Sequence, residues 1–341
     1  MFDIETKRAR ELFDRVPLEV TSTGDLASEV HLAISGQGAF EQAAAVQAAL
    51  IGHYPDNGKI HLWLDSEAHA LLLKSVPGIV HCVNLRQFGT DEINSVTDLL
   101  CEIPERAALT VLATDTSPQK GMQQARQYRE SWQSRQPRPT LKVILSGSLP
   151  KKAKMPAWVD HLEPIESFTA TRDKRITDKL DAVAKKIHHT WYTENTSQIE
   201  AAETENAKAA LSSKPTYKPW DQLTPDQQDC NRAAADHITV KIRAVGLDPK
   251  QSDLLKAWQN LTEAQLDMLA RVEHERWAAP LWINGYTQGA RDDAHHTHPN
   301  LVPYDALDQG TQDYDTAQVI AAAAHYVAAT VEDNSSGSNN S

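Results

Sequence analysis

The 341-residue sequence predicts a doubly wound, mostly parallel α/β domain followed by a smaller, mainly α-helical unit. Three observations carry that expectation. Short, continuously apolar runs alternate with helix-like stretches through the first half, the pattern of strands buried on both faces of a parallel sheet. The second half shows apolar stripes at helical spacing and no strand-like alternation. The chain is also longer than one domain usually is, so two units are the natural division.

The elements follow in order. Residues 30–35 (VHLAIS) read as a strand, Gly36-Gln37-Gly38 as a turn and residues 40–51 as an alanine-rich helix. Residues 60–64 (IHLWL) form the next strand, ending at Asp65, and residues 79–85 a third. Residues 109–114 and 141–146 are apolar, bounded and partly β-branched, with a helix over 120–135 between them. The α/β domain is thus expected over residues 1–170. Residues 171–192 read as a long amphipathic helix, because Ile176, Leu180, Val183 and Ile187 recur at helical spacing. Residues 193–215 are either a linker or an exposed helix. The helical unit is placed at 216–330. Its first helix spans 225–245, with Thr224 as N-cap, Pro225 at the first position and Gly246 as the stop. A second spans 262–279, with Pro280 ending or kinking it, and a third spans 315–329. Residues 331–341 are polar and Ser/Asn-rich, the composition of a disordered tail.

The formal net charge is −12, and from Thr216 onward 18 acidic residues face 9 basic ones. Such a chain is not an expected partner for nucleic acid or for anionic membrane surfaces. The N-terminus has no apolar signal-peptide core, and no window has the run of apolar residues that membrane insertion needs. Cys82, Cys101 and Cys230 lie far apart without a CxxC, which points to a reducing, cytoplasmic setting with no disulfide framework and no cysteine-built zinc site.

Several places could carry chemistry. Gly36 and Gly38 follow a strand and precede a helix, as the first two glycines of a GxGxxG dinucleotide turn do, and Asp65 is placed like the acid that binds a ribose hydroxyl. The third glycine position holds Glu41. Its carboxylate would repel an incoming phosphate, so NAD is possible but Glu41 argues against it, and the other reading is a packing turn. Asp115, between Thr114 and Thr116, stands at the sheet edge where open α/β folds bind ligands. No GxSxG elbow, P-loop or HExxH is present. Asp292, Asp293, His295, His296 and His298 have metal-ligand chemistry, but they lie between Gly289 and Pro299 without helical H-x-x-x-H spacing, so a metal is not expected there. In the helix 262–279, the stripe Leu266, Leu269, Glu273, Arg276 puts two charges on an apolar face, beside Trp277. Buried charge requires a partner, so the two either pair at i, i+3 or point into a pocket.

Two family resemblances follow. VHLAISGQGAFEQ, HLWLD and the later VNL resemble, over residues 28–115, the Rossmann-like nucleotide-binding domain of bacterial potassium-uptake proteins of the TrkA N-terminal type. The elements DCNRAAADHITVKI, VEHERWAAPLWINGYTQG, HPNLVPYDAL and DYDTAQVI resemble, over residues 217–325, the ryanodine-receptor (RyR) repeat domain. Two departures are Tyr286 where that family often has Trp, and Glu275 where Asn is common. The RyR resemblance implies recognition of a small nucleotide, adenine-type or cyclic, by aromatic and charged residues between helices. The matching positions are Trp220, Asn231, Arg232, Glu273, His274, Arg276, Trp277, Tyr286, Pro303, Tyr304 and Tyr314. Trp and Tyr offer flat faces for a base and Arg a fork for phosphate. Alternatively, these residues hold a small helical domain together.

Together these resemblances imply a prokaryotic cytoplasmic regulatory or sensor protein, in ion homeostasis or phage-defence signalling, with no catalytic residue assigned. The TrkA-type likeness implies a homodimer. The alternatives are an NAD-dependent or nucleotide-cleaving enzyme using the α/β domain, and a protein-interaction module.

Overall fold

The computed structural model describes residues 4–56, 58–88, 92–114, 118–134, 138–146, 156, 158–162 and 170–337. Asp115 and Thr116 lie outside the described residues. Among the described residues, six strands form one all-parallel sheet: β1 (Val30–Ser35), β2 (His61–Leu64), β3 (Asn84–Gln87), β4 (Ala108–Ala113), β5 (Thr140–Ser146) and β6 (Val159–Leu162). Their spatial order is β3-β2-β1-β4-β5-β6. The order reverses beside β1, which opens a crevice at the carboxyl ends of β1 and β4, as in Rossmann-like folds.

The strands explain their own burial. Leu32 and Ile34 of β1 face one core with Ala108 and Leu112 of β4. Ala33 faces the other with Leu109 and Val111. Helices α1 (Ile4–Arg15), α2 (Ala39–Ile51) and α3 (Ser66–Ser75) supply apolar residues to the first core. Helices α4 (Glu92–Glu102) and α5 (Pro118–Gln133) supply the second. Helix α1 was not anticipated; its Ala9, Leu12 and Phe13 are buried against α2.

The third strand differs from the expected 79–85. Pro77–His81 is a 3-10 turn that sends Ile79 into the core, and β3 follows it. Among the described residues β3 pairs with β2 alone, as an edge strand, and it carries the polar sequence NLRQ, so it lacks the apolar signature of a central strand.

Helix α6 (Ala170–Ala201) runs for 32 residues, about 48 Å at 1.5 Å per residue. It carries the chain past the expected end at Tyr192. After it, α7 (Glu205–Ser212) is capped by Thr204, so much of 193–215 is helical. The helical unit holds α8 (Pro225–Ala244), α9 (Leu254–Gln259), α10 (Glu263–Ile283) and α11 (Gln309–Gly337). Capping boxes at Thr224/Gln227 and Thr262/Gln265 start α8 and α10. Gly246, with φ of +78°, ends α8 in the left-handed conformation that glycine adopts without strain. Of the two outcomes expected at Pro280, an end is not seen: α10 continues to Ile283, where Asn284 N–H still donates to the Pro280 carbonyl. Pro280 is buried, and packing on both sides offsets the one lost backbone bond. Helix α11 reaches Gly337, further than the expected 315–329 and into the stretch read as a tail. Two short strands, Thr287–Gln288 and Thr297–His298, pair in the loop between α10 and α11, where none was expected.

The two halves share a core. Ile238, Ile242, Leu269, Trp258 and Val319 form the helical unit's own cluster, joined by Val183 and Ile187 of α6. Val240 of α8 and Ala279 of α10 instead belong to the first core of the sheet. The approach is tight at Gly78, where an added Cβ would fall 1.8 Å from the Trp282 carbonyl oxygen.

Candidate functional site

At the sheet crevice, Gly36 takes a φ of +105°, the turn that the first glycine of a dinucleotide motif makes. The space beyond it is filled from within. The Thr114 hydroxyl donates to the Glu41 carboxylate, and a Cβ on Gly38 would lie 2.4 Å from Glu41 Oε2. Glu41 is itself buried. Its carboxylate therefore covers the glycine turn where a dinucleotide would place its pyrophosphate. Asp65 is the N-cap of α3 and accepts from the backbone N–H groups of Glu67 (3.0 Å) and Ala68 (2.8 Å).

The predicted ligand residues of the helical unit fall into groups rather than one pocket. Arg232 spends its guanidinium on carboxylates: Nε and Nη2 donate to Asp181 of α6, the latter at 2.7 Å, and Nη1 donates to Asp229 at 2.7 Å. It also lies over the Trp220 ring, 5.6 Å from the centroid. Asp181 is shared: Arg10 of α1 donates to its Oδ1 at 2.8 Å, and the same Arg10 reaches Asp236 of α8 at 2.6 Å. Burial would lower the Arg10 pKa, but Asp236 and Asp181 reverse that and raise it. Burial would raise Asp181, but the hydrogen bonds from Arg232 and the charge of Arg10 bring it below the usual carboxylate range. Asn231 donates to the Gln227 carbonyl within its own helix.

The second group settles the anomaly of the α10 stripe. Glu273 and Arg276 pair at 2.6 Å, and Lys241 of α8 donates to the other oxygen of the same carboxylate. All three side chains are buried. Burial pushes Glu273 up, yet Arg276 and Lys241 outweigh it and hold the carboxyl at about 2. Tyr314 of α11 is 51% exposed, and burial with the charges of Glu273, Asp315 and Glu194 raises its pKa against the opposing charge of Arg276.

The third group surrounds His274. Its Nε2 donates to the Val302 carbonyl at 2.8 Å, and Nδ1 faces Asp315 Oδ2 at 3.3 Å as an ion pair without hydrogen-bond alignment. Burial opposes the charged ring, but Asp315 and the carbonyl prevail and raise its pKa. Trp277 stacks on His274 and meets His298 edge-on, while Tyr304 packs edge-on against His274. Pro303 is exposed at the start of the turn that carries Tyr304. Tyr286 stands with His296, the rings stacked at 4.7 Å.

Sequence reasoning missed Lys241, Asp181, Asp236 and Arg10, each of which acts on another element of the fold. The signal available was the charged break in the α10 stripe, which demanded a partner.

The acidic histidine run is spent locally, His295 pairing with Asp292 at 2.7 Å. Among the described residues, Glu29, His31 and His61 come close enough to share a metal ion. Their hydrogen bonds oppose one. The Trp63 indole N–H donates to His31 Nδ1 (3.2 Å), so the ring proton sits on Nε2, facing Glu29 Oε2 at 3.1 Å, where a metal would need a lone pair.

Two cavities are evident among the described residues. One of about 1190 Å³ lies between α1, α6, α8 and the end of α11, and one of about 310 Å³ lies between the 53–59 hairpin and α10. None of the eleven predicted ligand residues lines either. Among the described residues, no helix is long and apolar enough to cross a membrane.

Comparison with known families gives one match: residues 248–329 fit the family model of the RyR domain. The matched stretch holds α9, α10, the paired loop and α11, and so contains Glu273, His274, Arg276, Trp277, Tyr286, Pro303, Tyr304 and Tyr314. A search of curated proteins finds no match to the chain.

Proposed function

We propose that this chain is a regulatory protein whose RyR domain senses a small anionic nucleotide, of adenine or cyclic type, and whose α/β domain is the body on which that signal acts. The presence of an RyR domain fits a regulatory or sensor role. One observation supports an anionic ligand in particular. Two buried cations, Lys241 and Arg276, share the single carboxylate of Glu273, beside the half-exposed ring of Tyr314. A guanidinium that shares its carboxylate with a second cation can take a further anion. In this reading a nucleotide phosphate engages Arg276 and the base stacks on Tyr314.

Arg232 and Trp220 then have a different role. Arg232, through Asp181, ties the helical unit to α6 and α1, and Trp220 packs on His188 of α6, so a shift of α8 on binding would reach the α/β domain. The free cysteines suit a reducing, cytoplasmic compartment. The NAD-enzyme alternative is disfavoured by Glu41 in the glycine turn.

Isothermal titration of the full chain with a panel of mono-, di- and cyclic nucleotides tests the reading. Tyr314→Ala, a surface change, is expected to weaken the binding at least several-fold, and Arg276→Gln more. Undiminished affinity in both folded variants would place the ligand elsewhere.

A further inference from the structure

The overall charge conceals a local reversal. Between Pro118 and Ser146 the sequence holds six Lys and Arg against one acid, Glu130, in a chain of net charge −12. This stretch forms α5 and β5, toward the β6 edge of the sheet, whereas α10 packs on α2 and on the 3-10 turn that precedes β3, the strand at the other edge. Within it a receptor-like arrangement is built. The Arg129 guanidinium lies over the Trp132 ring, 3.8 Å from the centroid, and 5.3 Å from that of Trp158. Arg138 lies over the same Trp132 ring at 5.0 Å.

Each part is held in place. The Trp132 indole N–H donates to the Pro139 carbonyl at 2.5 Å, and Arg138 Nη2 donates to the Gln133 carbonyl at 2.8 Å. Arg129, by contrast, makes no hydrogen bond or ion pair among the described residues; its contacts are the two indoles. A guanidinium laid on an indole keeps its N–H edge free and its plane fixed, which is the geometry that binds a phosphate in bidentate fashion. Arg138 brings a second cation to the same ring, and burial and the Arg138 charge both lower the Arg129 pKa.

We infer that Arg129 and Arg138, mounted on Trp132, form a phosphate-binding site on the outer edge of the sheet, separate from the RyR domain. The phosphate can come from a soluble oligophosphate or from a lipid headgroup. Lysine is a poor substitute at such a site, since it carries the charge without the planar fork.

The test uses the full chain at about 50 mM salt, where exposed charges are weakly screened. Inorganic pyrophosphate is titrated calorimetrically, and sedimentation is measured with vesicles containing phosphatidic acid. One-to-one pyrophosphate binding identifies a soluble source; co-sedimentation without it identifies a headgroup. Arg129→Gln with Arg138→Gln is expected to weaken either at least tenfold, and Arg129→Lys several-fold, with the melting midpoint nearly unchanged. No binding of either probe, or binding unchanged in the double variant, would overturn the inference.

Discussion

Asp181 on α6 holds two arginines at once: Arg10 of α1 reaches its Oδ1 at 2.8 Å and Arg232 of α8 reaches its Oδ2 at 2.7 Å. The N-terminal helix, the connecting helix and the helical unit therefore meet at one carboxylate that is almost fully buried. Removing its charge leaves two buried cations short of a partner. Asp181→Asn is expected to destabilise the protein by about 3–5 kcal/mol, the usual cost of breaking a buried ion pair, as read from urea unfolding. A loss below 1 kcal/mol would mean that Asp236 and Asp229 suffice.

Gly78 carries the contact between the 3-10 turn and α10, with no room for a Cβ beside the Trp282 carbonyl. Gly78→Ala is expected to cost at least about 1–3 kcal/mol, as overpacking does, because the obstacle is backbone rather than a side chain that can turn away. A glycine-to-alanine change at the exposed Gly310, where the nearest contact is a side chain at 3.2 Å, serves as the control.

Acid stability depends on Glu273. Its folded carboxyl titrates at about 2, below the unfolded value near 4.5. The unfolded chain binds the proton first, so this contribution is complete above about pH 4.5 and is lost as pH falls toward 2. His31 and His53, buried and lowered to about 4, add a second loss on acidification, between about pH 6.5 and 4. Melting midpoints across pH 2–7 are expected to fall in both windows. In Glu273→Gln the fall below pH 4.5 is expected to shrink, while that between 6.5 and 4 persists.

Glu41 blocks its own glycine turn. The wild-type chain is expected to show no saturable NAD binding at the crevice. Glu41→Ala removes the carboxylate from the Gly38 contact and is expected to permit weak dinucleotide binding, detectable as a raised melting midpoint at millimolar NAD. Tight NAD binding by the wild type would contradict this account of the crevice.

Much of the fold was legible because particular residues had one structural option. β1 and β5 are apolar runs buried between two neighbours, and their bounds follow from the sequence. β3 was not legible, since an edge strand needs no apolar alternation, and Pro77 with Gly78 diverted Ile79 into a turn. At Pro280 the local rules offer an end or a kink, and the burial of α10 around it, which they ignore, lets the helix run on to Ile283. In the candidate site, the Glu273–Arg276 pair was legible from the spacing within one helix. Lys241 and the Arg10–Asp181 pair were not, because their partners lie 32 and 171 residues away and nothing local marks them.

The central claim, that the RyR domain binds a small nucleotide, is tested most directly by the melting midpoint of the full chain against a nucleotide panel. A specific ligand at 100 times its dissociation constant is expected to stabilise the protein by about 2.7 kcal/mol, and the shift to shrink in Tyr314→Ala. A midpoint unmoved by every member of the panel would contradict it.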